Sequence, residues 1–146
     1  MIETITTFVF IHGAFHGGWY WDCVKPYSKT RSHNVFTPDM PSHKNDPALP
    51  EDVTLNDYVD RVAEVIDKAG EPTILVEHSL GGATITQAGG NFTRHIRGLI
   101  YLAAAIPRNG QCPVNLTLGN DNSKLNHFRQ VSEDGKSVFV VEKGIK

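Results

Sequence analysis

The stretch TILVEHSLGG, residues 73–82, joins a continuous apolar run to a serine and two glycines. Residues 73–77 show no alternation of polar and apolar side chains, which is typical of a strand covered on both faces of a parallel sheet. The small residues at 80–89 predict a short helix directly after it. Ser79 therefore stands at a sharp turn between a buried strand and a helix.

Outward from this turn, strand and helix patterns alternate along the chain. β-Branched and aromatic residues predict strands at residues 5–11 and 33–37, and a further buried strand at 97–105. Apolar residues near helical spacing predict helices at 19–29 and 54–69. The alternating order predicts an α/β fold, a three-layer sandwich with helices on both faces of a parallel sheet.

The helix predicted at 54–69 carries signals at both of its ends. Thr54 and Asp57 resemble a capping box, in which side chains bond the free backbone groups of the first turn. Gly70 and Pro72 follow the last apolar residue, and this pair is typical of a helix end.

After residue 108 the sequence becomes polar and rich in turn residues. We therefore divide the chain into residues 1–108, the N-terminal part of an α/β core, and residues 109–146, which the family resemblance described below implies to be the beginning of a cap region. The pair Asp134-Gly135, between two short β-rich runs, predicts a hairpin in this second part.

The composition of the chain indicates which partners and which cell compartment to expect. The 146 residues have a formal net charge of −2 and scattered basic residues, which favours neither nucleic-acid nor membrane binding. The first residues lack the pattern of a secretory signal, and the longest apolar stretch, 99–106, is too short to cross a bilayer. Cys23 and Cys112 form no disulfide framework. We expect a cytoplasmic protein, and the oligomeric state is left open.

Ser79 is the first residue that indicates chemistry. A serine at such a turn projects its hydroxyl above the sheet edge, and the N–H groups at the start of the next helix, with Leu80 first, face a developing negative charge. The alternative is that Ser79 only caps the helix. His78 is expected to point to the other face and to pack there.

The loop after the first strand is the second indication of a site. His12-Gly13-Ala14 follows that strand at the sheet edge where ligands bind in open α/β folds. Ala14 is the best candidate for a second oxyanion donor, and His12, Gly13, Phe15 and His16 are possible pocket residues. A plain tight turn is the alternative. His12 and His16 lack a third ligand at metal spacing, so no metal is expected.

Four segments together resemble a known family. They are FVFIHGAFHGGWYW (8–21), HNVFTPDMPSH (33–43), EDVTLNDYVDRVAEVIDKAGEPTILVEHSLGG (51–82) and LIYLAAAIPRNGQ (99–111). They resemble the small α/β-hydrolases related to plant methylesterases and hydroxynitrile lyases, and their bacterial esterase relatives. The resemblance covers residues 5–111 almost continuously.

The resemblance implies a serine hydrolase that acts on small-molecule carboxylic esters without any cofactor. Ser79 would be the nucleophile of a Ser–His–Asp triad, and the amides of Ala14 and Leu80 would form the oxyanion hole. Two alternatives stay open: cleavage of a C–C bond, as in hydroxynitrile lyases, and a degenerate homologue without activity.

Three positions depart from the family pattern. Glu77 stands where relatives have glycine two residues before the serine, and Ser32 and Ser42 also replace glycines. The anionic side chain of Glu77 is expected to crowd the turn and, if it is buried, to repel a developing oxyanion. Each exchange needs one G-to-A change in a codon, so a damaged gene copy is one hypothesis.

The acid and base of the triad are expected after Ser79 in the chain. The downstream candidates are His95, His127, Asp121 and Asp134. None of them matches a triad position, and none is assigned. We therefore expect that the 146 residues are catalytically inactive by themselves.

Overall fold

The structure is a computed structural model that describes residues 5–118 and 122–141. Four parallel strands form its central sheet. The strands are β1 (Thr7–Ile11), β2 (Asn34–Phe36), β3 (Thr73–His78) and β4 (Ile96–Leu102). They are ordered β2-β1-β3-β4, so β1 and β3 are central. The parallel α/β architecture predicted from the sequence is confirmed.

Two helices, α2 (Leu55–Ala69) and α3 (Gly81–Asn91), cover one face of the sheet and contact each other. The buried side chains between these helices and the sheet make the larger core. Its members are Val9, Ile11, Met40, Val59, Val62, Val65, Ile66, Leu75, Ile85 and Ala88.

The opposite face is covered near β1 and β2 by a 3-10 turn, Gly18–Trp21, and a short helix α1, Lys25–Lys29. The single helix predicted at 19–29 is therefore wrong. Pro26 has no N–H, and its ring would collide with the carbonyl four residues earlier in a continuous helix. The smaller core on this face contains Phe10, Trp21 and Val76.

The last strand of the sheet is not the buried strand that the sequence predicted. β4 has a partner on one side within the described residues, and Ile100 and Leu102 are 41% and 44% exposed. It ends at Leu102 rather than at residue 105, because Ala103 takes a left-handed φ of 47° and turns the chain.

The predicted ends of α2 are confirmed. The Asp57 carboxylate accepts hydrogen bonds from the Thr54 N–H at 2.7 Å and from the Thr54 hydroxyl at 2.6 Å. Gly70 has a φ of 67°, a left-handed conformation that glycine adopts without a steric penalty. The sequence therefore fixes where this helix starts and stops.

Beyond β4 lie α4 (Pro113–Leu118), a 3-10 turn (Lys124–His127) and an antiparallel pair, β5 (Arg129–Val131) and β6 (Val138–Val140). This pair is the hairpin predicted around Asp134-Gly135. The division into core and cap stays a prediction. No helix in residues 5–118 and 122–141 is long and apolar enough to cross a membrane.

Candidate active site

Ser79 forms a strained turn between β3 and α3. Its φ is 61°, in the left-handed region that non-glycine residues seldom occupy. Its carbonyl oxygen accepts hydrogen bonds from the Ala105 N–H at 2.8 Å and the Gly82 N–H at 3.4 Å. The first bond ties the turn to the segment after β4 and the second ties it to the first turn of α3, and strain held in this way is common at catalytic positions.

The first loop, residues 12–18, lies directly against this turn. A Cβ placed on Gly13 would be 2.9 Å from the Ser79 Cβ and 3.2 Å from the His78 carbonyl oxygen. A side chain at position 13 would therefore force one of the two segments to move. The structure thus brings together the two stretches that the sequence singled out.

The backbone amides of Ala14 and Leu80 are free to bind a ligand. Among the residues that the structure describes, neither N–H donates to a protein acceptor. Leu80 precedes the first residue of α3, so its amide belongs to the positive end of that helix. Whether these two N–H groups form the predicted oxyanion hole stays a prediction.

His12 lies beneath the first loop and is 2% exposed. Its Nδ1–H donates to the Gly13 carbonyl oxygen at 2.8 Å, and its Nε2 accepts the Met40 N–H at 3.0 Å. Burial lowers the pKa of His12 to about 4. Both ring nitrogens of His12 are thus bonded to the backbone, and its place among the pocket residues stays a prediction.

His16 and His78 meet on the opposite face of the sheet from α2 and α3. The His78 ring stacks on Tyr20 with centroids 5.1 Å apart, and the His16 ring lies 4.3 Å from the same side chain. Burial lowers the pKa of both imidazoles. His78 therefore packs as predicted. Phe15 is 37% exposed at the tip of the first loop.

Two cavities lie beside the turn at Ser79 and Leu80. The sequence analysis did not predict the other residues that line them. One, of about 410 Å³, is lined by Ser79, Ala103, Ala104, Ala105, Ile106 and Leu116. The other, of about 310 Å³ and mostly apolar, lies on the Leu80 side and includes His43, Tyr58, Ala83 and Thr84. The small residues after β4 were the available signal, because side chains there meet at the ligand-binding edge.

Comparison with known proteins gives the family. The model of the "Alpha/beta hydrolase family" matches residues 8–138. The chain belongs to the alpha/beta hydrolase family.

This alpha/beta hydrolase is similar to several known proteins. It is 32% identical over 122 residues to a pyrethroid hydrolase of Sphingobium wenxiniae, covering 83% of this chain and 44% of that protein. It is 37% identical over 103 residues to salicylic acid-binding protein 2 of Nicotiana tabacum, covering 68% and 40%. A solved pyrethroid hydrolase from Sphingobium faniae superposes with a TM-score of 0.81 at 30% identity, over 96% and 57%. The chain therefore spans less than half the length of these curated relatives.

Glu77 is the departure with the largest structural effect in this alpha/beta hydrolase. Its side chain is 0% exposed, and within the described residues neither carboxyl oxygen has a hydrogen-bond partner. The carboxyl group fits because Gly81 and Gly82 lack side chains. Their Cβ positions would lie 3.0 and 3.1 Å from the Glu77 oxygens. The first turn of α3 therefore leaves room for the Glu77 side chain, and the predicted crowding of the turn does not occur.

Burial raises the pKa of Glu77 to about 8. The carboxyl group is therefore mainly protonated at pH 7, since isolated charges are costly in an apolar interior. The predicted repulsion of an oxyanion does not arise in this state. Ser32 and Ser42, the other two departures, have φ angles of 61° and 65°, in the region that favours glycine.

The downstream triad candidates lie in different parts of the alpha/beta hydrolase. The His95 carbonyl oxygen accepts the Thr73 N–H, so His95 is at the sheet end opposite Ser79. His127 and Asp134 are exposed in the region after β4. Asp121 lies outside the described residues.

Proposed function

We propose that this chain supplies the nucleophile and the oxyanion hole of a serine hydrolase that acts on small carboxylic esters. The observation that carries the proposal is the left-handed Ser79 turn, with two unbonded amides beside it. Relatives named as a pyrethroid hydrolase and as methylesterases support the ester class.

In this mechanism the Ser79 oxygen attacks the ester carbonyl carbon while its proton passes to a general base. The carbonyl oxygen becomes an oxyanion and accepts hydrogen bonds from the Ala14 and Leu80 amides. Collapse of the intermediate expels the alcohol, which takes the proton from the base. Water then attacks the acyl-enzyme by the same route and releases the acid.

The chain's own residues keep the neighbourhood of the serine free of negative charge. Glu77 is protonated at neutral pH because its burial raises its pKa. The imidazoles of His12, His16 and His78 have lowered pKa values and are neutral. The oxyanion is therefore stabilised by amide dipoles, without a competing carboxylate.

The general base belongs, in this proposal, to a histidine outside the 146 residues. Within the described residues, Ser79 makes no hydrogen bond to any of the seven histidines: His12, His16, His33, His43, His78, His95 and His127. His33, for instance, packs on the Phe8 ring at the start of β2 and accepts the Thr6 N–H. We expect the chain alone to hydrolyse esters at no more than a residual rate.

The test compares p-nitrophenyl acetate hydrolysis by the 146-residue chain and by a chain extended downstream along the reading frame, called the extended chain. The extended chain should turn over the ester. Ser79→Ala should abolish turnover, whereas Ser28→Ala, in α1, should leave it unchanged. Robust Ser79-dependent turnover by the short chain would refute the external base, and its absence in the extended chain would refute the hydrolase.

The contact at Gly13 argues against the hydroxynitrile lyase alternative. Plant lyases resemble this chain but have a bulkier β-hydroxy residue at that position, and here a Cβ would meet Ser79 at 2.9 Å. Release of cyanide from mandelonitrile by the extended chain would overturn this preference.

A degenerate homologue would leave Ser79 unlabelled by a fluorophosphonate probe, which needs an activated nucleophile. Cytoplasmic location remains a prediction.

A further inference from the structure

Three hydrogen bonds hold the peptide planes on either side of the Ala14 Cα, and one of them runs from the His16 N–H to the Gly13 carbonyl oxygen at 3.3 Å. His12 donates to the Gly13 carbonyl oxygen at 2.8 Å, and the His43 Nε2–H donates to the Ala14 carbonyl oxygen at 2.7 Å. The described peptide bonds are trans, so each N–H points away from the carbonyl of its own plane. The Ala14 N–H therefore points away from His12 in the plane held by the Gly13 carbonyl oxygen. His43 holds the next plane and so keeps the Ala14 Cα in place, about which the first plane would otherwise move.

His43 can hold Ala14 only if its proton is on Nε2. The Nδ1 atom lies 3.1 Å from the Tyr58 hydroxyl and 3.0 Å from the Pro41 carbonyl oxygen. In the neutral ring, donation by Tyr58 to Nδ1 places the proton on Nε2, whereas a proton on Nδ1 would bond Pro41 and release Ala14. Burial raises the pKa of Tyr58 to about 12, so the hydroxyl keeps its proton.

The second loop, residues 37–48, carries His43 and is itself anchored to α2. Arg61 donates to the Asp39 carbonyl oxygen at 2.6 Å and to the Asp46 carboxylate at 2.9 Å. The other Asp46 oxygen accepts the backbone N–H groups of Ser42 at 2.9 Å and Ala48 at 3.0 Å. The residues on either side of His43 are thus held in place.

We propose that His43, with Tyr58 behind it, is a positioning residue that fixes the direction of the Ala14 amide in the ester hydrolysis proposed above. Both of its ring nitrogens are bonded within the loops and α2, Nε2 to Ala14 and Nδ1 to Tyr58. His43 therefore acts on the oxyanion through the loop and takes no proton from the substrate. This inference rests on the proposed function.

The kinetic test uses the extended chain with p-nitrophenyl acetate. Loss of one oxyanion donor costs about 100- to 1000-fold in kcat, and a misdirected donor costs less, so His43→Phe should lower kcat by about 10- to 100-fold. KM should stay within about 2-fold, because the interaction forms in the transition state. His43→Gln, which keeps an N–H donor, should retain more activity than His43→Phe. Tyr58→Phe should show a smaller loss.

The control variant is His33→Phe, at the other end of the sheet, which should leave kcat unchanged. The ratio of wild-type to His43→Phe kcat should stay constant from pH 6 to 9. A ratio that changes with pH would identify His43 as a proton carrier and overturn the proposal. A change in KM alone would also overturn it, because His43 lines the 310 Å³ cavity and would then be a substrate contact.

Nuclear magnetic resonance of the 146-residue chain separates this proposal from the proposed function. The imidazole nitrogen shifts should show His43 protonated on Nε2, and Tyr58→Phe should increase the Nδ1–H form. The Ala14 amide resonance should move in His43→Phe and not in His33→Phe. If the extended chain shows no Ser79-dependent turnover, the hydrolase fails and these signals still decide the geometry. An unmoved Ala14 amide, or His43 protonated on Nδ1 in the wild type, would refute the positioning role.

Discussion

Glu77 makes the stability of this protein depend on pH in a calculable way. Its pKa is about 8 in the folded chain and 4.5 without the protein environment. Between these values the unfolded chain releases a proton that the folded chain keeps, so the free energy of unfolding falls as pH rises. The loss is about 1.4 kcal/mol for each pH unit, which gives roughly 3 kcal/mol at pH 7 and roughly 5 kcal/mol at pH 8 and above.

The perturbation that isolates this effect is Glu77→Gln, which keeps the size of the side chain and cannot ionise. Wild type and variant should have nearly equal stability at pH 4.5. The variant should become the more stable protein as pH rises, and the difference should level off above pH 8. Glu77→Gly removes the buried polar group as well, so its gain at pH 4.5 measures the cost of packing a carboxyl group against Gly81 and Gly82.

The assay is urea denaturation followed by circular dichroism at pH 4.5, 6, 7 and 8. Other groups titrate in this range, His12 among them, and their contributions cancel in the difference between wild type and Glu77→Gln. A difference that does not change with pH would show that the Glu77 carboxyl has an ordinary pKa in the folded chain. The argument from its burial would then be wrong.

Three further predictions concern packing and backbone strain. Gly82→Ala places a Cβ 2.3 Å from the Ala105 carbonyl oxygen, so it should lower the free energy of unfolding in urea by about 1–3 kcal/mol. Gly90→Ala is the control, because a Cβ there has no neighbour within 4 Å, and it should not destabilise the protein. Ser32→Gly and Ser42→Gly should each stabilise by about 0.5–1 kcal/mol, since L-residues pay about 1–2 kcal/mol in the left-handed region; a loss in either variant would contradict this. Ile85→Ala should lower the free energy of unfolding by about 2–5 kcal/mol, because this side chain is 0% exposed in the larger core. A loss below about 1 kcal/mol in urea denaturation would mean that this core is loosely packed.

Local pattern was enough to predict the parts of the fold that local physics determines. The helical spacing of apolar residues and the capping residues around Thr54 predicted α2 almost to the residue. The apolar run before Ser79 and the small residues after it predicted the strand, the turn and the helix that carry the nucleophile. In both cases the determining contacts lie within one element or one turn.

The features that local pattern missed depend on contacts between distant segments. The exposure of β4 follows from its place at the edge of the sheet, and strand order is not written in any single strand. The neutral state of Glu77 depends on burial under α3. His43 lies in a loop without periodicity, and its role is visible only once Ala14 and Tyr58 are known to be its neighbours.

The pairing of β1 with β3 has a consequence for how this protein folds. These two strands form the centre of the sheet, yet α1, β2 and α2 all lie between them in the chain. The central pairing therefore closes a long loop, and such non-local contacts form slowly. During synthesis β1 can pair with β2 first, and it can pair with β3 only after β3 has left the ribosome. Ser79 and Ala14 follow the ends of these same two strands, so the candidate site can form only when this non-local pairing forms.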